Sequence, residues 1–300
     1  MSGIRKLLKP FVLRSAAKLN LALQVTGHRE DGFHTLNTVF ERLDLADIIT
    51  FSPSADECLS ITCSHRAVPC DERNLVYKAA VLLREAAGIY KGAVIHIQKN
   101  IPVAAGLGGG SSNAATALLG LNRLWACGFS RVQLTALAKK IGSDVPFFLQ
   151  DIPFAIGTDR GDKLKALAVA HRFWHVLITA KRPLLTKEVY RVYAERFLVI
   201  NKPGLTKKTA DVRMLARSLK QNDVARAQEL VFNDLAGPIG VLRPELLKLK
   251  QRITEAARRG VCFSGSGPSI FALTVSQAEA ERIAKIFRRS YAQVFVVRTA

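Results

Sequence analysis

The sequence predicts an α+β chain built in two halves. Segments of period-two alternation are interleaved with helical apolar stripes, and the connections between them are mostly short, as antiparallel pairing allows. Near residue 160 the pattern changes to a new set of elements, so residues 1–160 and 161–300 are read as an N-terminal and a C-terminal domain. Three hundred residues are enough for two ordinary domains whose cores need neither disulfide nor metal.

Taken in order, Arg14–Val25 alternates as a strand, and Thr26–His34 reads as a polar loop marked by Gly27 and Gly32. Strands are expected at Leu36–Leu43, Ile48–Ser52 and Cys58–Cys63. Leu75, Ala79, Leu82, Leu83 and Ala86 form a helical stripe over Asn74–Ala87, stopped by Gly88. Ala93–Lys99 alternates as a half-buried strand. Beyond a glycine-rich stretch, Ala114, Leu118, Leu121 and Trp125 recur at helical spacing, with Gly128 expected to end that helix. Ser130 and Gln133 frame a capping box for a helix with Leu134, Leu137, Ala138 and Ile141 inward and Gly142 at its end. The second half predicts a strand at Phe173–Thr179, several helices between Thr186 and Arg259, and a strand, turn and strand over Val261–Val275. A helix capped by Ser276 and Glu279 follows, then a last strand at Gln293–Arg298.

Bulk composition narrows the class. Hydrophobic residues at 49% and charged residues at 23% describe an ordinary globular protein without repeats or low-complexity tracts. No run approaches the ~18 apolar residues of a membrane span. Met1–Arg29 carries six Lys or Arg before any acid, as targeting peptides do, but lacks an uninterrupted apolar run with a small-residue cleavage site. The five cysteines (Cys58, Cys63, Cys70, Cys127, Cys262) are odd in number and include no C-x-x-C pair, which predicts reduced thiols and a cytoplasmic location. Cys58, Cys63, His65 and Cys70 match no common zinc spacing, so no metal site is expected. The net charge of +20 favours polyanions, from nucleic acid to phosphorylated metabolites. The Lys and Arg residues are spread over the chain without the clustered arms and interleaved aromatics of a nucleic-acid binder.

The stretch Pro102-Val103-Ala104-Ala105-Gly106-Leu107-Gly108-Gly109-Gly110-Ser111-Ser112-Asn113-Ala114-Ala115 joins a predicted strand to a predicted helix. Glycines let backbone N–H groups approach an anion, and a helix start adds unpaired donors and the positive end of its dipole, so the loop reads as a polyphosphate cradle. A small-residue helix start packed on a neighbour is the plainer alternative. No Lys follows the glycines as a Walker loop requires, and Ser111 stands where a dinucleotide fingerprint counted from Gly106 needs its last glycine. H-R-D and D-F-G are absent, which excludes the protein-kinase set.

Phosphoryl transfer needs a cation near the transferred group and an acceptor for the attacking hydroxyl's proton. Lys18, an isolated charge among apolar neighbours, and Asp144, just before Val145-Pro146, are the candidates. Taken singly, Lys18 reads as an edge-strand lysine facing solvent, Asp144 as a helix cap ahead of a proline, and Ser264-Gly265-Ser266-Gly267-Pro268 as a hairpin turn.

Ala17-Lys18-Leu19-Asn20, Gly32-Phe33-His34, Ile101–Ala115, Gly142–Pro146 and Phe263–Pro268 stand in the order found in the GHMP small-molecule kinases, and the chain resembles that family from about Ser15 to Leu273. The resemblance implies a ribosomal-S5-domain-2-like N-terminal half and a ferredoxin-like C-terminal half. It implies ATP as co-substrate, Mg²⁺ arriving with it, and phosphorylation of the 2-hydroxyl of cytidine-diphosphate methylerythritol in the non-mevalonate isoprenoid pathway. Lys18 and Asp144 match the catalytic pair, Asp144 taking the hydroxyl proton, and Pro102–Ser112 matches the ATP loop. Asn20, Phe33, His34 and Lys99 match substrate or nucleotide contacts, with His34 on the cytosine. Thr186 and Tyr190 fall where the family places a hydroxyl and an aromatic near the cytidine, and the loop Ser264–Gly267 would close beside the active site.

Ala16 stands where the family usually has Pro, Asn113 where many members have Asp, and Arg160-Gly161-Asp162 where Gly-Glu is common. Homoserine- and mevalonate-type kinases are the nearer alternatives, opposed by Phe33-His34 and the triple glycine. An RNA-binding protein on the same fold is the more distant one, opposed by the joint presence of Lys18 and Asp144. No nucleic-acid or membrane partner is expected, and the chain is read as a monomer or weak homodimer.

Overall fold

The computed structural model describes residues 9–197 and 207–300. Arg5 and Lys6 of the basic N-terminal stretch, and residues 198–206 of the helical region, lie outside the described residues. In chain order the elements are β1 (Phe11–His28), β2 (His34–Pro53), β3 (Leu59–Cys63), α1 (Leu75–Ala87), β4 (Ala93–Gln98), α2 (Gly109–Trp125), α3 (Arg131–Ile141), α4 (Val145–Leu149), β5 (Phe154–Asp159), β6 (Lys163–Ala166) and β7 (Trp174–Thr179). They continue as α5 (Thr186–Arg196), α6 (Lys207–Lys220), α7 (Val224–Leu230), β8 (Phe232–Asn233), α8 (Ala236–Leu242), α9 (Pro244–Ala257), β9 (Val261–Phe263), β10 (Ser269–Thr274), α10 (Gln277–Arg288) and β11 (Val294–Arg298). By packing, the chain divides into two compact units that are discontinuous in sequence, unlike the continuous halves read from the pattern. One holds the start of β1 through Ala16 with Ala46–Val103 and Gly109–Asp151; the other holds Ala17–Leu45, Ala104–Gly108 and Ile152–Ala300.

In the first unit, β4 pairs antiparallel with Ile48–Pro53 of β2 and parallel with β3. The alternation of β4 is borne out: Ala93, Ile95 and Ile97 are buried, and Val94, His96 and Gln98 face out. The Asn74 side chain caps α1 by accepting from the Val76 N–H, and Gly88 ends it in the left-handed region. Its buried face is Val76, Ala79, Ala80 and Leu83, one residue further round than the predicted stripe, so Ala86 is exposed. Helix α2 packs closely on β2: a Cβ at Gly120 would lie 2.4 Å from the Phe51 ring. It ends at Trp125, before Gly128, because Ala126 already takes a positive φ of 53°. The capping box of Ser130 and Gln133 opens α3 as predicted, with Leu134, Leu137 and Ala138 buried.

In the second unit β1 and β2 run longer than the pattern suggests. Thr26–His28 belong to β1, only residues 29–33 form the loop, and His34 opens β2. Leu36–Leu43 and Ile48–Ser52 are one continuous strand, because β2 keeps ladder partners on either side of its polar centre: Leu36–Glu41 pair with β5, and Ile48–Pro53 with β4 in the first unit. The β5–β6 hairpin was not visible in the sequence, since most of β6 is exposed and its turn carries the signal only in Asp159 and Gly161, both at positive φ. A separate antiparallel sheet, ordered β11-β7-β10-β9, carries α9 and α10. Its core joins Val176, Ile178, Phe263, Ile270 and Ala272 to Leu246, Leu249, Ile253, Ile283 and Phe287. No helix among the described residues is long and apolar enough to cross a membrane.

Candidate active site

Lys18 lies on a strand paired on both sides, with β2 and, at Ala22 and Leu23, with β8. It is 4% exposed, which overturns the reading as a solvent-facing edge lysine. Its Nζ donates to Asn20 Oδ1 at 2.6 Å and sits 5.4 Å from the centre of the Phe40 ring, a cation–π contact. Asn20 Nδ2 donates to Thr38 Oγ1, which donates to the Ala22 carbonyl, so the acceptor that orients the ammonium is itself held on both strands. Sequence reasoning named Lys18 and Asn20 but missed Thr38.

Two glycine turns meet in the same unit. The Lys18 N–H donates to the Leu107 carbonyl, and Ser264 Oγ donates to the Gly106 carbonyl at 3.0 Å. Gly106 has φ +76°, and a Cβ there would lie 2.2 Å from the Ser264 carbonyl oxygen. Ser264–Gly267 is therefore not an isolated hairpin turn; it is seated against the Ala104–Gly108 segment of the predicted cradle.

His34, 9% exposed, lies among rings: His28 at 4.9 Å, Tyr190 at 5.0 Å and Tyr193 at 5.8 Å between centroids. Its Nε2 has no hydrogen-bond partner among the described residues. Burial, helped by the neighbouring His28, pushes its pKa below 6.5, which favours the neutral imidazole. Phe33 is half exposed with the Arg160 guanidinium 5.3 Å from its ring centre. Arg29, paired with Asp31 and Asp159, braces the loop that carries Phe33. Thr186, at the start of α5, shares a hydrogen bond of 2.9 Å with Ser266. In the sequence His28 stood out only as part of a polar loop, Arg160 only within Arg160-Gly161-Asp162, and Ser266 only within the glycine turn.

The remaining candidates belong to the first unit. Gly109, Gly110, Ser111 and Ser112 form the first turn of α2, so the glycine run does open a helix. Lys99 is buried, with Nζ donating to Asp47 Oδ2 and to the Ile101 carbonyl, each at 2.7 Å. Burial lowers its pKa and Asp47 works against that shift. Asp47, fully buried, also accepts from the Asn100 and Ile101 N–H groups and from Asn113 Nδ2. Asp144 precedes α4 with Pro146 in its first turn, yet its side chain makes no cap hydrogen bond. The half-buried Asp144 carboxylate is thus not spent on the helix start.

A buried lysine beside an amide, a glycine run at a helix start and a carboxylate that makes no cap bond are each, taken singly, groups of a kind that phosphoryl transfer uses. Comparison with known proteins agrees. Residues 74–153 match the GHMP kinases N terminal domain, and residues 215–293 match the GHMP kinases C terminal domain. A 4-diphosphocytidyl-2-C-methyl-D-erythritol kinase from Pelotomaculum thermopropionicum is 39% identical over 283 residues, covering 94% of this chain and 96% of that protein. A crystal structure of 4-(cytidine 5'-diphospho)-2C-methyl-D-erythritol kinase is similar with a TM-score of 0.80 and 34% identity, covering 97% of this chain and 100% of that one. A homoserine kinase from Cytophaga hutchinsonii, 19% identical with a TM-score of 0.75 over 100% of this chain and 97% of its own, shares the fold. The chain belongs to the GHMP kinases, and within them to the 4-diphosphocytidyl-2-C-methyl-D-erythritol kinases. It has the GHMP kinase fold.

Proposed function

We propose that this chain transfers the γ-phosphoryl group of ATP to the 2-hydroxyl of 4-diphosphocytidyl-2-C-methyl-D-erythritol, in the cytoplasm, with Mg²⁺ entering on the ATP phosphates. The substrate named for the relatives supports this reading, and the buried, unpartnered His34 Nε2 in a cluster of rings carries it at residue level. A neutral imidazole with one free nitrogen suits the hydrogen-bonding edge of a base, and Tyr190 and Phe33 offer apolar faces to its ring. Thr186, with its hydroxyl tied to Ser266, is read as a ribose or cytosine contact.

The family halves are read as residues 1–160, carrying the ATP loop, and 161–300. In the chemical step Asp144 accepts the 2-hydroxyl proton as that oxygen attacks phosphorus. Lys18 offsets charge on the transferred phosphoryl, held in direction by Asn20. Pro102–Ser112 supplies backbone N–H groups to the ATP phosphates. Lys99 acts at the base of that loop.

ATP consumption is to be measured with the cytidyl substrate, mevalonate and homoserine, on wild type and Asp144→Asn. Turnover confined to the cytidyl substrate is expected, with kcat of the variant down by on the order of 10²–10⁴. Both proteins are assayed below their measured melting midpoints, so that a loss of fold is told apart from a loss of the base. Turnover of mevalonate or homoserine instead would sink the substrate; an undiminished variant would sink the base.

A further inference from the structure

The Ser112 hydroxyl is reached by a one-way relay of hydrogen bonds that starts at Asp47. The Asn113 amide has two N–H bonds, and both are used: one goes to Asp47 Oδ2 and one to Ser15 Oγ, each at 2.8 Å. Ser15 Oγ, accepting from Asn113, turns its own hydrogen to Ser112 Oγ at 2.8 Å. Ser112 therefore accepts, and no acceptor among the described residues takes its hydrogen. Ser15, Ser112 and Asn113 are each 1–3% exposed, so water does not compete along the chain. Asp47 also ties Asn100 and Ile101, the residues that lead into the glycine loop, to the same carboxylate.

We propose that Ser15 is a positioning residue for ATP, fixing the Ser112 hydroxyl as a hydrogen donor toward the phosphates, with Asp47 and Asn113 setting the direction of the relay. This rests on the reading of Pro102–Ser112 as the ATP loop. The direction follows from chemistry. A carboxylate is acceptor-only, so Asn113 presents N–H to it, and the second N–H of the same planar amide makes Ser15 an acceptor first and a donor second. A phosphate oxygen is acceptor-only too, and a serine poised to donate meets it without reorientation. Asn113 suits this arrangement better than an ionised Asp, which would face Asp47 with a like charge.

The test is a double-mutant cycle of Ser15→Ala and Ser112→Ala, reading the ATP dissociation constant by calorimetry below every melting midpoint, with KM for the acceptor alongside. S15A should weaken ATP binding on the order of fivefold, the weight of one hydrogen bond, and leave the acceptor KM unchanged. In the S112A background S15A should add nothing. An ATP constant within twofold of wild type in S15A, an acceptor KM that rises equally, or the same loss in both backgrounds overturns the proposal. Should S15A fail to fold, Ser15→Cys keeps the group but weakens its donor and gives the same readout. Wild type that binds ATP but turns over no cytidyl substrate sinks the substrate reading and leaves this test intact; wild type that binds no ATP overturns both.

Discussion

Replacing Gly106 by alanine should unseat the two glycine turns from each other. Three magnitudes decide the outcome. A left-handed φ of +76° costs an L-residue about 1–2 kcal/mol. The reduced freedom of the unfolded chain returns about 0.4–1 kcal/mol. The new Cβ would stand 2.2 Å from the Ser264 carbonyl oxygen and 3.0 Å from that of Gly267, and both obstacles are backbone. Relief therefore requires moving a turn rather than a rotamer, at about 1–3 kcal/mol. The net loss is about 1–5 kcal/mol, or roughly 2–18 °C in melting temperature for a unit of this size. Gly110→Ala is the control: its Cβ would meet only Leu75 Cδ1 at 3.7 Å, and its position inside α2 should gain about 0.5–1 kcal/mol from helix propensity. Circular-dichroism melts of both variants settle the matter, with the KM for ATP as a second reading that should rise in G106A. A G106A melt within 2 °C of wild type, or a G110A melt below that of G106A, would refute the reasoning.

Lys99→Met leaves the Asp47 carboxylate buried without its cation and should cost about 3–5 kcal/mol in denaturant unfolding, much of it recovered when Asp47→Asn is added; wild-type stability in K99M alone would deny the pair. For His34 the folded pKa lies below 6.5, so the folded state binds its proton less readily than the unfolded chain. Above pH 6.5 both states are neutral and nothing is lost; as pH falls from there toward the folded value, stability declines. The KM for the cytidyl substrate should accordingly stay flat above pH 6.5 and rise on acidification, and His34→Asn should abolish that rise. Cys58 and Cys70, both exposed, should react promptly with Ellman's reagent in the native protein. Cys262, buried with its thiol pushed up to about 12, should react only after unfolding, and prompt labelling of Cys262 itself, located by peptide mass mapping, is the contrary result.

Much of the fold was legible where one physical signal acted alone. The alternation of β4, the capping box of α3, the Ser276 cap of α10, and Gly88 at the end of α1 are local effects, so the residues that show them also cause them. The middle of β2 was not legible, because Asp44 and Asp47 break the alternation while ladder partners on either side hold the strand together. The β5–β6 hairpin failed for a similar reason: its pairing with β2 is non-local, and its outer strand has little apolar content to announce it.

The candidate site divides in the same way. Residue order by itself determined the chain's resemblance to a kinase family, the glycine loop before a helix, and Lys18 and Asp144 as the groups to watch. Backbone freedom and residue chemistry are properties of a short segment, and they survive in the text. Only the tertiary structure decided that Lys18 is buried and aimed by Asn20, that Asp144 does not cap its helix, and that the Ser264 turn seats on Gly106. It also decided that Asp47, unremarkable in sequence, gathers Lys99, Asn100, Ile101 and Asn113. A buried polar group must find its partners wherever the fold brings them, here more than fifty residues away along the chain for each of the four bonds, and no local pattern records that choice.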